Sequence, residues 1–236
     1  NFSLKITDVD LNSFWNKQST QIEEEKINSF LWLNLIDRKN DSLIIQKIIS
    51  MWIEKNKNYK KIIWENSVLS KRIVSWILNS EMILTNTNVY FKEIFFQSLM
   101  SQINHIKKNI KFEKNNSKKI EILTAILLSG LVFKEHSENF NLSLKELENL
   151  VKEFFDKDGF PLSRNPNHLL KFSKYFILIK ECTKDAQQYV PDFLDEIIKK
   201  NLSCIKNITT PENKMPLFNG ATEVNMEEYF KYISNL

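Results

Sequence analysis

Three glycines and five prolines are all that punctuate this 236-residue chain. Gly and Pro are the residues that most strongly end helices and shape tight turns, so long stretches here meet no breaker. A β-sandwich or barrel needs a turn signal every 8–12 residues or so, which this chain cannot supply. The stretches between breakers are rich in Leu, Ile, Lys, Glu, Asn and Phe, and several of these are good helix formers. The expected fold class is all-α.

The apolar spacing agrees. Residues 18–35 set Ile22, Ile27, Phe30, Leu31, Leu33 and Leu35 close to helical spacing, with Trp32 beside them. Asp41 and Ser42 cap a second helix running to Lys55, in which Ile44, Ile45, Ile48, Ile49, Trp52 and Ile53 make one broad apolar face. Further helices are expected over residues 68–85, 89–110, 118–134, 143–155, 166–182 and 191–204, with a short helical segment near the end. Long helices joined by short connections lie antiparallel, which gives successive helical hairpins in a solenoid, a bundle or a toroid. No motif repeats at the periods of tetratricopeptide, ankyrin or HEAT arrays, which favours a toroid or an irregular bundle forming one domain over residues 1–236.

Composition removes several function classes. An apolar content of 42% is enough for a large core without disulfides. The net charge is +4, with basic residues interleaved with acidic ones, so nucleic-acid binding is not implied and a mild preference for anionic ligands remains. Cys182 and Cys204 fall on different expected helices and are taken as buried free thiols. No His/Cys cluster, Gly-rich phosphate loop or Gly-x-Ser-x-Gly elbow is present, so no metal or other cofactor is called for. No apolar run approaches the roughly 20 residues that span a bilayer, so membrane insertion is not expected. The chain begins at Asn1 and is expected to be a piece of something longer.

Three segments interrupt the helical pattern with polar or special residues: 112–119, 158–168 and 215–223. Loops carried on a rigid scaffold are where function concentrates. Two of these segments, together with the stretches at residues 64–77 and 95–133, carry a resemblance to a known family. WENSVLSKRIVSWI at 64–77, through Trp64, Arg72 and Trp76, resembles a pattern near the start of the toroid domain of heparinase II/III-like polysaccharide lyases. FFQSLMSQINHI at 95–106 and AILLSGLVF at 125–133 are similar to that family's paired helices. DGFPLSRNPNHLL at 158–170 resembles its Asp-Gly-Gly-His stretch followed by Arg-Ser-Pro or Arg-Asn-Pro, and PLFNGATE at 216–223 resembles an element of an alphaproteobacterial-type branch.

The resemblance implies an (α/α) toroid, an incomplete barrel of antiparallel helical hairpins, followed in the same chain by a C-terminal β-sandwich domain that this sequence does not contain. It implies β-elimination on an acidic, uronate-containing polysaccharide and a periplasmic or cell-envelope setting. The family's Asn-His and Tyr-His pairs fall on Ser117–Lys118 and His168–Leu169, with Asn116 one residue out of register. A non-catalytic glycan-binding or envelope-assembly toroid that has lost the usual Asn and Tyr is therefore the alternative. A third reading, an inverting glycosidase, needs two carboxylates across a cleft, for which Asp158 and Glu223 are the loop candidates.

Elimination removes a proton next to a carboxylate, so a cation or strong hydrogen-bond donor has to hold that carboxylate. Arg164 is the first candidate because its planar guanidinium binds carboxylates through two parallel hydrogen bonds. His168 is the candidate base, since imidazole titrates near neutrality. Lys118 is a second candidate cation or base. Asn116, Ser117, Asn165, Asn219 and Glu223 are the polar residues expected to contact sugar, and Trp64 is the stacking candidate. Trp52 and Trp76 lie on apolar helical faces, where core packing is expected.

Overall fold

The computed structural model describes residues 20–36 and 42–234. Among them every regular element is helical, and the one β feature is an isolated bridge between Phe155 and Pro161. The chain divides into two compact units, Asn1–Lys111 and Phe112–Leu236.

In the first unit lie α1 (Gln21–Asn28), α2 (Ser42–Lys55), α3 (Asn66–Leu78), α4 (Ser80–Leu84) and α5 (Val89–Asn109). Thr20 starts α1 with a capping box, its hydroxyl accepting from the Glu23 amide while the Glu23 carboxylate accepts from the Thr20 amide. The helix expected over 18–35 stops early. The Asn28 side chain donates to Glu24 O, Phe30 turns left-handed at φ 56°, and Leu31–Leu35 continues as a 3-10 turn. Tertiary packing wins over periodicity here, because the turn drives the Phe30 ring edge-on against Trp52 and Trp76 at 5.7 and 5.4 Å. Residues 18 and 19, and Asp41 as a cap, lie outside the described residues.

The helix expected over 68–85 is split at Asn79, whose backbone leaves helical values (φ −106°, ψ 14°) while its side chain donates to Ser75 O, beside its own amide, and to Asn34 Oδ1. Trp52 and Trp76 are buried, as the apolar faces require, and Trp76 packs on Phe95 at 5.1 Å. Arg72 is sealed within this core. It donates to Gln102 Oε1 (2.7 Å), Asn28 O (2.7 Å) and Ile63 O (3.1 Å), and its Cζ sits 4.2 Å from the Trp52 ring centroid. Burial pulls its pKa down to about 9, still well above neutrality, so the charge stays and is carried by oxygen dipoles and a ring face.

The second unit holds α6 (Asn116–Val132), α7 (Glu138–Phe154), α8 (Pro166–Asp185), α9 (Asp192–Ile208) and α10 (Met226–Ser234). Asn115 and Asn165 cap α6 and α8 through amides of the first turn, and Pro166 occupies the first helical position. Phe133–Ser137 turns α6 back onto α7. The two pack so closely that a Cβ on Gly130 would stand 2.4 Å from the Phe140 amide nitrogen, which makes glycine obligatory there. Cys182 on α8 and Cys204 on α9 are free and half-buried; burial pushes the Cys182 thiol up to about 11, and Cys204 donates to Asp158 O.

Early residues of α6 and α8 meet, since Lys171 on α8 touches Ser117 and Glu121 on α6. The late half of α9 touches the loop that enters α8, where Asn201 donates 2.7 Å to Gly159 O. The starts of α6 and α8 and the ends of α7 and α9 thus share one end of this unit. No helix among the described residues is long and apolar enough to cross a membrane.

Candidate functional site

That shared end gathers all three segments singled out by sequence. The loop from Phe155 to Asn165 is organised by Asp156, whose Oδ1 accepts from the amides of Asp158 (3.0 Å) and Phe160 (2.9 Å) and whose Oδ2 accepts from Arg164 Nη1 at 2.6 Å. Desolvation alone raises the Asp156 carboxyl, but the Phe160 amide, Arg164 and the Asp158 amide outweigh it and hold the group below the usual carboxylate range. Gly159 is required twice over. Its φ is 84°, and a Cβ would lie 2.3 Å from the Lys200 Cβ.

Arg164 and Asn219 both adopt left-handed backbone, at φ 53° and 51°. Each supports the other's loop: Asn219 Nδ2 donates to Arg164 O (3.0 Å) and Asn165 Nδ2 donates to Asn219 O (3.0 Å). Asn167 Nδ2 adds a bond to Thr222 Oγ1 at 2.8 Å. Asn165 therefore both caps α8 and clamps the 215–223 segment, while Arg164 keeps a side chain that is 53% exposed despite its tie to Asp156. Asp158 and Glu223 are both exposed.

His168 stands in the first turn of α8, half-buried, with Nδ1 2.9 Å from Ser163 Oγ and its ring beside Phe154. Burial, and then the nearby charge of Lys171, holds its pKa below the ordinary 6.5, so the ring is neutral at neutral pH and has a lone pair to offer. One turn further along, Lys171 places Nζ 2.8 Å from Ser117 Oγ and 2.7 Å from Glu121 Oε1.

The structure thus brings Ser117, Arg164, Asn165, His168 and Asn219 into one linked set. Asn116 and Lys118 flank Ser117 in the first turn of α6 and are half-buried. Sequence reasoning missed Ser163, Asp156 and Lys171. Lys171 has a sequence signal in hindsight, because it lies three residues after His168 and so on the same helical face. Trp64 belongs to the first unit, where its ring meets His105 edge-on at 5.2 Å and Tyr59 at 6.5 Å. Among the described residues no group of three His, Cys, Asp or Glu side chains is placed to hold a metal ion.

No family model matches the chain, and no curated protein does. Solved structures do. A crystal structure of heparinase III superposes with a TM-score of 0.73 over 94% of this chain and 38% of that one, at 16% identity. A second heparinase III gives 0.71 over 95% and 40%, at 15% identity. The heparan sulfate lyase HepC from Pedobacter heparinus gives 0.64 over 87% and 34%, at 14% identity. The chain spans between a third and two-fifths of the length of these proteins. Likeness at this identity speaks for fold alone, and the fold is an all-α toroid of the heparinase kind.

Proposed function

We propose that this chain is the toroid part of a polysaccharide lyase that cleaves an acidic, uronate-containing polysaccharide by β-elimination. The observation that carries the reading is His168, a neutral imidazole with Nδ1 engaged by Ser163, at the junction of three loops. In the tautomer whose Nδ1–H donates to Ser163 Oγ, Nε2 carries the lone pair and is the nitrogen that acts on substrate. It takes the proton next to the uronate carboxylate, and the charge left on carbon is delocalised into that carboxyl group. The bond from the neighbouring carbon to the glycosidic oxygen then breaks, the imidazolium of His168 returns its proton to the leaving oxygen, and the new sugar end carries a carbon–carbon double bond.

Each step asks for something the residues at this end offer. Arg164 and Lys118 are cations flanking His168's loop and the start of α6, and they neutralise the carboxylate in the transition state. Asn116, Ser117, Asn165, Asn219 and Glu223 supply hydrogen bonds to sugar hydroxyls. Trp64 offers a stacking face in the first unit. The same reading supplies a C-terminal β-sandwich domain of the same chain as the other wall of the cleft. Structural similarity to heparinase III and to a heparan sulfate lyase supports the substrate class.

Product masses test this directly. Elimination gives two fragments whose masses sum to that of the substrate, whereas hydrolysis adds one water. Fragments carrying the added water would establish a glycosidase. Binding of acidic glycans without any cleavage would favour the non-catalytic toroid, consistent with Ser117 and His168 standing where the resembling family has Asn and Tyr.

A further inference from the structure

Lys171 is a cation that no sequence motif singled out, and its surroundings are asymmetric. Its carboxylate partner Glu121 is 1% exposed on α6, whereas the Lys171 side chain is 29% exposed and borders His168 and Ser117. The negative member of the pair is hidden behind the positive one. Part of the Lys171 side chain stays in solvent, with its ammonium at a fixed position on Glu121 and Ser117, one helical turn from His168.

A flexible lysine normally loses side-chain freedom when it binds an anion, and that ordering opposes binding. Here Glu121 and the Ser117 hydroxyl have already ordered it. We propose that Lys171, paired with buried Glu121 and seated beside Ser117, joins Arg164 and Lys118 in holding the uronate carboxylate next to His168. This deepens the lyase reading and rests on it. It makes Lys171 a specificity-determining residue of the site, one that separates acidic sugars from neutral ones of the same shape.

Replacing Lys171 alone would take an ion-pair partner from buried Glu121 and threaten folding. The informative variant therefore removes both charges together, Lys171→Gln with Glu121→Gln, beside Lys171→Arg, which keeps the cation. The probes are a glucuronate-containing tetrasaccharide and its carboxyl-reduced, neutral counterpart, titrated calorimetrically into each protein. Wild-type protein is expected to prefer the acidic form, and the double variant to lose roughly tenfold to a hundredfold on that form while binding the neutral one unchanged. Lys171→Arg is expected to retain the preference.

If the double variant keeps the wild-type preference, or loses both ligands alike, Lys171 does not receive the carboxylate and the lyase reading survives without it. If the wild-type protein binds neither tetrasaccharide, both this assignment and the reading beneath it fall.

Discussion

Arg72 and Lys171 are both cations held within helical units, and they are held in opposite ways. Arg72 is wholly buried, faces no carboxylate among the described residues, and spends its guanidinium on two backbone carbonyls, one amide oxygen and the face of Trp52. Lys171 faces a buried carboxylate and keeps part of its own side chain in solvent. The first arrangement ties α1, α3 and α5 together and leaves no face for a ligand. The second keeps a positive group at the surface without letting it wander. A cation sealed on every side serves the fold, whereas one paired from behind and still partly in solvent is the one proposed to meet a ligand.

Substitutions sharpen that contrast. Arg72→Met strips the partners from Asn28 O, Ile63 O and Gln102 Oε1 at once and is expected to cost about 3–5 kcal/mol of stability, read from urea unfolding. Arg72→Lys keeps charge but not the fork, and should recover only part of the loss. A smaller effect is expected at the loop end. Asp156→Ala removes three acceptor contacts from a half-buried turn and should lower stability by about 1–2 kcal/mol, with faster amide exchange confined to residues 156–165. Smaller still is the double replacement of Lys171 and Glu121 by glutamine, since exchanging a buried ion pair for a neutral pair of similar volume is often close to neutral, within about 1 kcal/mol. If that double variant unfolded as readily as Arg72→Met, the distinction drawn between the two cations would fail.

The smallest effect concerns protons. His105 and His168 both titrate below their ordinary 6.5, burial being the first cause and Lys108 or Lys171 the second. The unfolded chain therefore takes up protons at higher pH than the folded one. Stability contributed by the neutral rings is present above about 6.5, declines as pH falls through that value, and levels off below the folded pKa values. His168→Gln should flatten part of that decline in thermal melts, and an unchanged pH profile would place His168 in a more open setting than the structure gives it.

Much of the fold was legible in the sequence because helical periodicity and the scarcity of breakers are local signals. The starts of α5 and α8 and the burial of Trp52 and Trp76 follow from Asn88, Pro166 and the apolar faces. The breaks at Phe30 and Asn79 do not, because a left-handed phenylalanine and an asparagine side chain bonded to Asn34 answer to partners far along the chain. The site follows the same division. Arg164, Asn165, His168 and Asn219 sit in interrupted, polar segments and stood out. Lys171 and Glu121 lie inside regular helices, where a charged residue looks like an ordinary solvated face until tertiary structure sets them 2.7 Å apart. Asp156 lay just outside the interrupted segment at 158–168, and only the turn geometry pairs it with Arg164.

The most direct test of the account is the initial rate at which the ultraviolet absorbance of unsaturated uronate rises when the protein meets heparan sulfate and other acidic polysaccharides, compared with His168→Ala. The account predicts a rise for the wild-type protein and a loss of about a hundredfold or more in the variant, with folding intact by circular dichroism. A variant that produces unsaturated ends as fast as the wild type would contradict His168 as the proton-transferring group, and a wild-type protein that produces none from any of them would contradict the lyase itself.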